Sequence, residues 1–196
     1  MEEITLPLQA VQKVIGLELT DSTNNVAKEL AQAGQEANTL VLACRQTGGR
    51  GQFDRTFSSE EGGVYFSLIL RPAVHPRRNS SFSLKVAQAV SGALEDLFEM
   101  KTKIKAPNDV LAWEPKTKKW KKICGILIET SAKEDKTDWM VVGVGLNVNN
   151  RLPASLKDTA VSVKQLVGQE VLKEIVLEAV LEHFWRRYSE WERSIC

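Results

Sequence analysis

The stretch Thr47–Arg55, TGGRGQFDR, places three glycines and two arginines in one short segment between two apolar runs. Glycine lets main-chain N–H groups approach a ligand closely. Arginine adds a charged, fork-shaped donor that suits carboxylate and phosphate. The segment is neither a P-loop, since no Gly-Lys-Ser/Thr follows, nor a dinucleotide fingerprint, since no helix opens directly after it. It predicts an anion-holding loop, and a flexible surface loop with incidental charge is the alternative.

The second segment that can do chemistry is KAPNDV, residues 105–110. Proline fixes the chain as it leaves a strand, and Asn-Asp then present an amide and a carboxylate in a rigid turn. Lys105 can pair with a phosphate there, while Asp109 or Asn108 meets Mg²⁺. Taken alone, the segment favours a purely structural turn over this functional interpretation.

A third segment, KICGILIE at 122–129, is typical of a strand that opens with a lysine. Strand alternation predicts that Lys122, Cys124 and Ile126 share one face, which would put Cys124 beside a ligand. A free buried cysteine used as a small hydrophobe is the commoner arrangement. The fourth segment, GVGLNVN at 143–149, carries two glycines inside a strand, which predicts that something packs closely against them.

The elements that must position these segments follow from hydrophobic periodicity and turn residues. Strands are predicted at 14–19, 39–44, 64–70, 103–105, 110–113, 123–129 and 139–148, and helices at 25–33, 83–100 and about 170–191. Strands joined by hairpins, with helices gathered elsewhere, indicate an α+β fold. The strand-poor stretch 46–63 is long for a connection within a domain, and such loops are usually functional.

Composition restricts the class of protein. A chain of 196 residues with 43% hydrophobic residues fits one domain with a real core. The net charge of +1 gives no field that would favour nucleic acid or membrane. Three scattered cysteines and two histidines argue against a disulfide scaffold, a zinc site or a Ser-His-Asp triad. The basic run KTKKWKK, 116–122, predicts a solvated hairpin. No signal peptide or membrane-spanning run is recognised, so we expect a cytoplasmic protein.

Together with an early Ser-Thr-Asn turn, these segments resemble the biotin protein ligases, in the order in which that family carries its motifs. The matching motifs are Ser22–Asn24, Gln46–Gly51 followed by Phe57, Lys105–Asp109, Lys122–Leu127 and Gly143–Asn149. The resemblance implies a mixed β-sheet flanked by helices, related to class II aminoacyl-tRNA synthetases. It also implies synthesis of biotinyl-5′-AMP from biotin and ATP with Mg²⁺, followed by transfer to a lysine of a biotin carboxyl carrier domain.

The resemblance assigns roles residue by residue. Lys122 and Arg50 would be catalytic, and Asp109 would bind Mg²⁺. Biotin would be bound by Ser22, Thr23, Gln46, Gly49, Arg50, Lys122 and Gly125. The nucleotide would be bound by Arg55, Phe57, Lys105, Asn108 and Asn147. The Gly/Arg loop, defined as residues 47–55, would be mobile without ligand and would close over the adenylate.

Three positions depart from the family pattern. Ala106 replaces the tryptophan of the family's K-W-P-N-D motif, and Phe57 replaces a tryptophan near the end of the Gly/Arg loop. Gln52 stands where many members carry arginine, which predicts weaker retention of the intermediate. None of these changes removes Lys122 or Arg50.

The resemblance also frames the domain organisation and the alternatives. We expect a single catalytic domain over residues 1–196, without an N-terminal winged helix and without the small C-terminal β-barrel. A homodimer formed by edge-strand pairing is one assembly that the sequence allows. The alternatives are a lipoate or octanoate ligase or transferase of the same superfamily, and a non-catalytic biotin- or nucleotide-binding protein.

Overall fold

The computed structural model describes residues 11–52 and 55–194, which form one seven-stranded sheet and four α-helices. The strands are β1 (Lys13–Thr20), β2 (Thr39–Gln46), β3 (Val64–Leu70), β4 (Thr102–Lys105), β5 (Asp109–Glu114), β6 (Lys119–Lys133) and β7 (Lys136–Leu146). The helices are α1 (Thr23–Gln32), α2 (Asn79–Phe98), α3 (Val163–Val167) and α4 (Lys173–Arg193). The strand order is β1-β2-β3-β7-β6-β5-β4. Only β1 and β2 are parallel, so the prediction of an α+β fold with a mixed sheet is confirmed.

The main core lies between the sheet and the helix pair α2/α4. Alternate residues of β3, such as Phe66 and Leu68, point to this face and are fully buried. Aromatic rings pack between the two helices. The Phe82 ring centroid lies 5.6 Å from that of Phe184 and 4.6 Å from that of Trp191. Burial of this apolar layer stabilises the sheet from one side. The opposite face can therefore carry polar groups.

The opposite face is covered by α1 over only part of its area. Ala27 and Ala31 of α1 pack against Val41, Ile69 and Val141 in a small second core. A helix of 10 residues is about 15 Å long, too short to cover a seven-stranded sheet. The segments that the sequence analysis singled out meet on the uncovered part of this face, beside the first turn of α1.

One helix was not predicted, and one prediction about local structure was wrong. The predicted last helix, about 170–191, is α4, which begins at Lys173, whereas the short helix α3 before it was missed. Helix α3 has only five residues, too few to show a hydrophobic period, and is marked by a capping box between Ser162 and Gln165. The basic hairpin is not solvated throughout either. Lys121 is 4% exposed and its Nζ lies 2.8 Å from Glu114 Oε2.

Among residues 11–52 and 55–194, no helix combines the length and the apolar character needed to span a bilayer.

Candidate active site

Three glycines on adjacent strands form the floor of the site. Gly125 of β6 pairs with Gly145 of β7, and Gly143 pairs with Ser67 of β3. All of them face the side of the sheet that α1 leaves partly open. A Cβ at Gly145 would come within 2.7 Å of the Phe57 ring, and one at Gly143 would overlap the Asn24 amide. The predicted close packing on the strand glycines is therefore confirmed, and Phe57 and Asn24 are the groups that use the space.

A β-bulge in β6 decides which side chains of this strand face the site. Val110 pairs with Cys124 but Leu111 pairs with Lys122, so Ile123 is the extra residue. As a result Ile123 and Cys124 are both fully buried in the helix-side core. The prediction that Lys122 and Cys124 share a face was wrong, because it assumed unbroken alternation. Burial raises the pKa of the Cys124 thiol to about 12, as expected for a core residue.

Lys122 lies over the glycine floor on the open face. Its Nζ is 2.7 Å from Asp109 Oδ1 and 5.5 Å from the centroid of the Phe57 ring. A Cβ at Gly125 would lie 3.0 Å from the same Nζ, so the lysine lies directly against that glycine. The Lys122 side chain is 33% exposed, which leaves its ammonium accessible to an incoming anion.

The N-terminal turn of α1 supplies neutral polar groups next to the floor. Ser22 occupies the N-cap position, but its hydroxyl makes no capping hydrogen bond, contrary to the usual use of serine there. The Thr23 amide donates to Gln46 Oε1 at 2.8 Å, and Gln46 Nε2 donates to Ser59 Oγ at 2.7 Å. Ser22, Thr23 and Gln46 thus line one wall together, as the sequence predicts.

Sequence reasoning missed a polar network beneath this wall. Asn24 Nδ2 donates to Glu129 Oε2 at 3.0 Å, and Asn24 Oδ1 accepts from Ser67 Oγ at 2.6 Å. Glu129 Oε1 in turn lies 3.0 Å from Lys28 Nζ. Burial alone would raise the pKa of Glu129, but the hydrogen bonds from Asn24 and Lys28 and the charge of Arg50 hold it below its ordinary value. Asn24 belongs to the Ser-Thr-Asn turn and Glu129 ends the KICGILIE segment, so both could have been singled out.

The Gly/Arg loop folds back on itself at the edge of the site. Gly51 N donates to Arg55 O at 2.7 Å, and Phe57 N donates to Gly49 O at 2.8 Å. A Cβ at Gly49 would overlap the Phe57 carbonyl and Ser59 Oγ, so this glycine lets the two limbs of the loop approach. Gly49 was predicted to line the biotin pocket. It packs against the Phe57 carbonyl and does not line the inner cleft described below, so its contact with biotin stays a prediction. Residues 53–54 at the loop tip lie outside the described residues, so the predicted mobility of the loop stays a prediction.

Arg50 points from this loop toward β6 and α1. Its Nη1 donates to Glu129 Oε1 at 3.1 Å and to Asn25 Oδ1 at 3.1 Å. The guanidinium therefore sits at the mouth of the site beside one carboxylate, where Lys28 adds a second positive charge.

Three adjoining clefts meet at the Phe57 ring. The inner cleft, about 320 Å³ including its open mouth, lies between α1 and the glycine floor. The loop cleft, about 740 Å³, lies between the Gly/Arg loop and the turn before β5, and the outer cleft, about 950 Å³, lies beyond Lys122. Arg50 and Gly125 line both the inner and the loop cleft, while Lys122 lines both the loop and the outer cleft.

The residues predicted to meet the nucleotide lie around the loop and outer clefts. Lys105 lines both, and Arg55 lines the loop cleft. Asn108 Nδ2 donates to the Ile126 carbonyl at 2.9 Å, so this amide also braces the turn. Asn147 is 3% exposed, and its Nδ2 donates to the Val161 carbonyl at 3.3 Å. Strand β7 ends at Leu146, directly before Asn147. The nearly buried Asn147 forms part of the wall of the outer cleft.

Asp109 is the residue predicted to meet a metal ion. Within residues 11–52 and 55–194, no three His, Cys, Asp or Glu side chains come together as metal ligands. Asp109 offers one carboxylate, and its Oδ1 is paired with Lys122. Mg²⁺ often binds through one or two carboxylates together with substrate phosphates, so Asp109 fits a metal that arrives with a nucleotide.

The fold and the site define an α+β protein whose clefts lie over a floor of strand glycines. Neutral polar groups line the inner cleft, and basic groups line the loop cleft. Residues 16–147 match the model of the Biotin/lipoate A/B protein ligase family, and the chain belongs to that family. It is 38% identical over 184 residues to the bifunctional ligase/repressor BirA of Bacillus subtilis, covering 92% of this chain and 55% of that protein. It is 31% identical to the biotin–[acetyl-CoA-carboxylase] ligase of Paracoccus denitrificans, covering 90% of this chain and 71% of that protein.

Solved structures agree with these relationships. The biotin protein ligase of Aquifex aeolicus in complex with biotin and ATP superposes with a TM-score of 0.77 at 32% identity, covering 93% of this chain and 72% of that one. The chain spans about half the length of the Bacillus relative that it matches, 55%.

Proposed function

We propose that this chain activates biotin with ATP to biotinyl-5′-AMP and transfers the biotinyl group to a lysine of a biotin carboxyl carrier domain. The observation that carries the proposal is the position of Lys122. Its ammonium lies against Gly125, where the neutral polar wall of the inner cleft meets the basic loop cleft. A carboxylate entering from one side and a phosphate entering from the other would both reach it.

The first reaction joins two anions, so cations must offset their repulsion. A carboxylate oxygen of biotin attacks the α-phosphorus of ATP, a mixed anhydride forms and pyrophosphate leaves. Lys122 would bridge the carboxylate and the α-phosphate, exchanging its pairing with Asp109 for the substrate. Arg50 would add charge from the mouth of the inner cleft.

Recognition of biotin would use the wall formed by Ser22, Thr23 and Gln46. The ureido ring is neutral and polar, so hydroxyl and amide groups match it without a desolvated charge. The uncommitted Ser22 hydroxyl supports this assignment. Gly125 would let the substrate approach the sheet closely.

The nucleotide would occupy the loop and outer clefts. Lys105 and Arg55 would face its phosphates, Phe57 would lie near the adenine, and Asn108 and Asn147 would shape the pocket. Mg²⁺ bound to the triphosphate would be met by Asp109 once Lys122 turns to the substrate. Bound there, the ion would neutralise phosphate charge.

The second reaction is acyl transfer to an amine. The carrier lysine attacks the acyl carbon of the adenylate, an amide forms and AMP leaves. Because the carrier brings the nucleophile, no serine or histidine nucleophile is needed. Strand β6 extends past the end of its pairing with β5 at Gly125, which gives a sheet edge on which a carrier strand could pair. We place this activity in the cytoplasm, where ATP is available.

The strongest competing function is lipoate or octanoate ligation. A linear acyl chain would favour an apolar tunnel, whereas the inner cleft is lined by Ser22, Thr23, Asn24 and Gln46. The discriminating experiment is ATP–pyrophosphate exchange with biotin, lipoate or octanoate as the acid. Exchange with biotin, followed by ATP-dependent labelling of a carrier domain, is expected. Exchange with lipoate alone would overturn the proposal, and biotin binding without exchange would indicate a non-catalytic binding protein.

A further inference from the structure

Glu129 is a partly buried carboxylate that the reaction itself does not require. Its side chain is 19% exposed and lies on the site face of β6, two residues beyond the inner-cleft residue Leu127. Its two oxygens accept from three donors on two separate segments, Asn24 and Lys28 of α1 and Arg50 of the Gly/Arg loop. Glu129 therefore links α1, β6 and the Gly/Arg loop through hydrogen bonds and ion pairs.

The bonds that Glu129 accepts from Arg50 occupy Nη1 alone. All the hydrogen bonds that Arg50 makes with described side chains use Nη1, two to Glu129 and one to Asn25. The fork geometry then fixes where Nε and Nη2 stand. Arg50 lines both the inner and the loop cleft, so these donors border the place where an acyl-adenylate would lie.

Several contacts hold the described part of the Gly/Arg loop. Arg50 forms an isolated bridge with Thr56, and Gly51 bonds Arg55 within the loop. The Gly48 amide donates to the Asp21 carbonyl at 2.8 Å at the start of the loop. The bonds from Arg50 to Glu129 add a tie to the central strand β6. A carboxylate that holds the Arg50 guanidinium beside the clefts would keep its donors on a bound acyl-adenylate and so slow the loss of that intermediate.

We propose that Glu129 is the positioning residue for Arg50, and that it sets how long the acyl-adenylate is retained. This inference rests on the proposed biotin-activating function.

The test measures retention directly. The protein is loaded with biotin and ATP, free ligands are removed by gel filtration, and the remaining biotinyl-adenylate is followed over time. Glu129→Gln keeps the side-chain size but removes the charge, and it should release the adenylate about tenfold faster, as expected for a charge-assisted bond that is partly exposed. Lys28→Met removes another partner of Glu129 without touching Arg50, and release should stay within about twofold of wild type.

A double-mutant cycle separates positioning from a general structural role. The variants of the cycle are loaded with preformed biotinyl-adenylate, because Arg50 itself belongs to the adenylate-forming site. If Glu129 acts through Arg50, the double variant Arg50→Ala/Glu129→Gln should release the adenylate no faster than Arg50→Ala alone. An equal tenfold acceleration in the Arg50→Ala background, or unchanged release in Glu129→Gln, overturns the proposal. Should Glu129→Gln fail to fold, Glu129→Asp, which shortens the reach to Arg50, replaces it in the cycle.

A second readout does not depend on catalysis. Limited trypsin digestion of the ligand-free protein, followed by mass spectrometry, reports cleavage after Arg55. Glu129→Gln should raise this cleavage several-fold, while cleavage at sites outside the Gly/Arg loop stays close to that of wild type and of Lys28→Met. Unchanged cleavage after Arg55 would contradict the anchoring role. If wild type forms no adenylate with any acid, the proposed function fails, whereas the digestion still decides whether Glu129 holds the loop.

Discussion

Replacing Gly143 with alanine tests whether the floor of the site depends on the Asn24 amide. A Cβ at Gly143 would overlap Asn24 Oδ1 and lie 2.8 Å from its Cγ. Asn24 cannot yield easily, because its amide is held by Ser67 at 2.6 Å and by Glu129 at 3.0 Å. The added methyl must therefore displace a side chain that is bonded on both sides.

The cost follows from these contacts. Overpacking typically costs about 1–3 kcal/mol. Weakening two hydrogen bonds, one of them to a carboxylate, adds about 2 kcal/mol. Alanine regains about 0.5–1 kcal/mol relative to glycine in a strand. The net loss should be about 3 kcal/mol, which for a chain of this size lowers the melting midpoint by about 6–12 °C.

The matched control is Gly145→Ala, two residues along the same strand. Its Cβ would lie 2.7 Å from the Phe57 ring, which sits on a loop and can shift. Calorimetry should therefore find a loss of less than about 1 kcal/mol for Gly145→Ala, while ligand affinity changes because Phe57 moves. Equal melting midpoints for Gly143→Ala and wild type, or a larger loss in Gly145→Ala, would refute the reasoning.

Three further outcomes are expected. Lys122→Met should abolish biotin-dependent pyrophosphate exchange while far-ultraviolet circular dichroism and the melting midpoint change little; retained exchange would contradict the role of Lys122. Because the pKa of Glu129 is lowered from 4.5 in the folded state, its ionised form stabilises the fold above that pH. The free energy of unfolding of wild type and Glu129→Gln should be measured by denaturation from pH 7 to 3. The difference between the two proteins should be constant at neutral pH and shrink below about pH 4.5. A difference that grows on acidification would be inconsistent with this. Finally, iodoacetamide should label the exposed Cys44 in the native protein but Cys124, whose thiol pKa burial raises to about 12, only after unfolding, as read by peptide mapping; labelling of native Cys124 would place it outside the core.

The sequence by itself determined the fold class and most of the helices and strands. Period-2 and period-3.6 patterns predicted all seven strands and three of the four helices, because burial of one face imposes those periods. The family resemblance singled out Ser22, Gln46, Lys122 and Gly125, and the structure places them around adjoining clefts.

Only the tertiary structure decided how side chains divide between the two faces of the sheet and what holds the Gly/Arg loop. The bulge at Ile123 reverses the alternation of β6 and sends Cys124 to the core, a shift that depends on pairing with β5 rather than on the strand's own residues. Glu129, Asn24 and Arg50 are distant along the chain, and their contact exists because α1, β6 and the loop meet at one corner of the sheet. Local sequence specifies periodicity and turns, whereas register and long-range charge pairing are fixed only when the whole sheet is assembled.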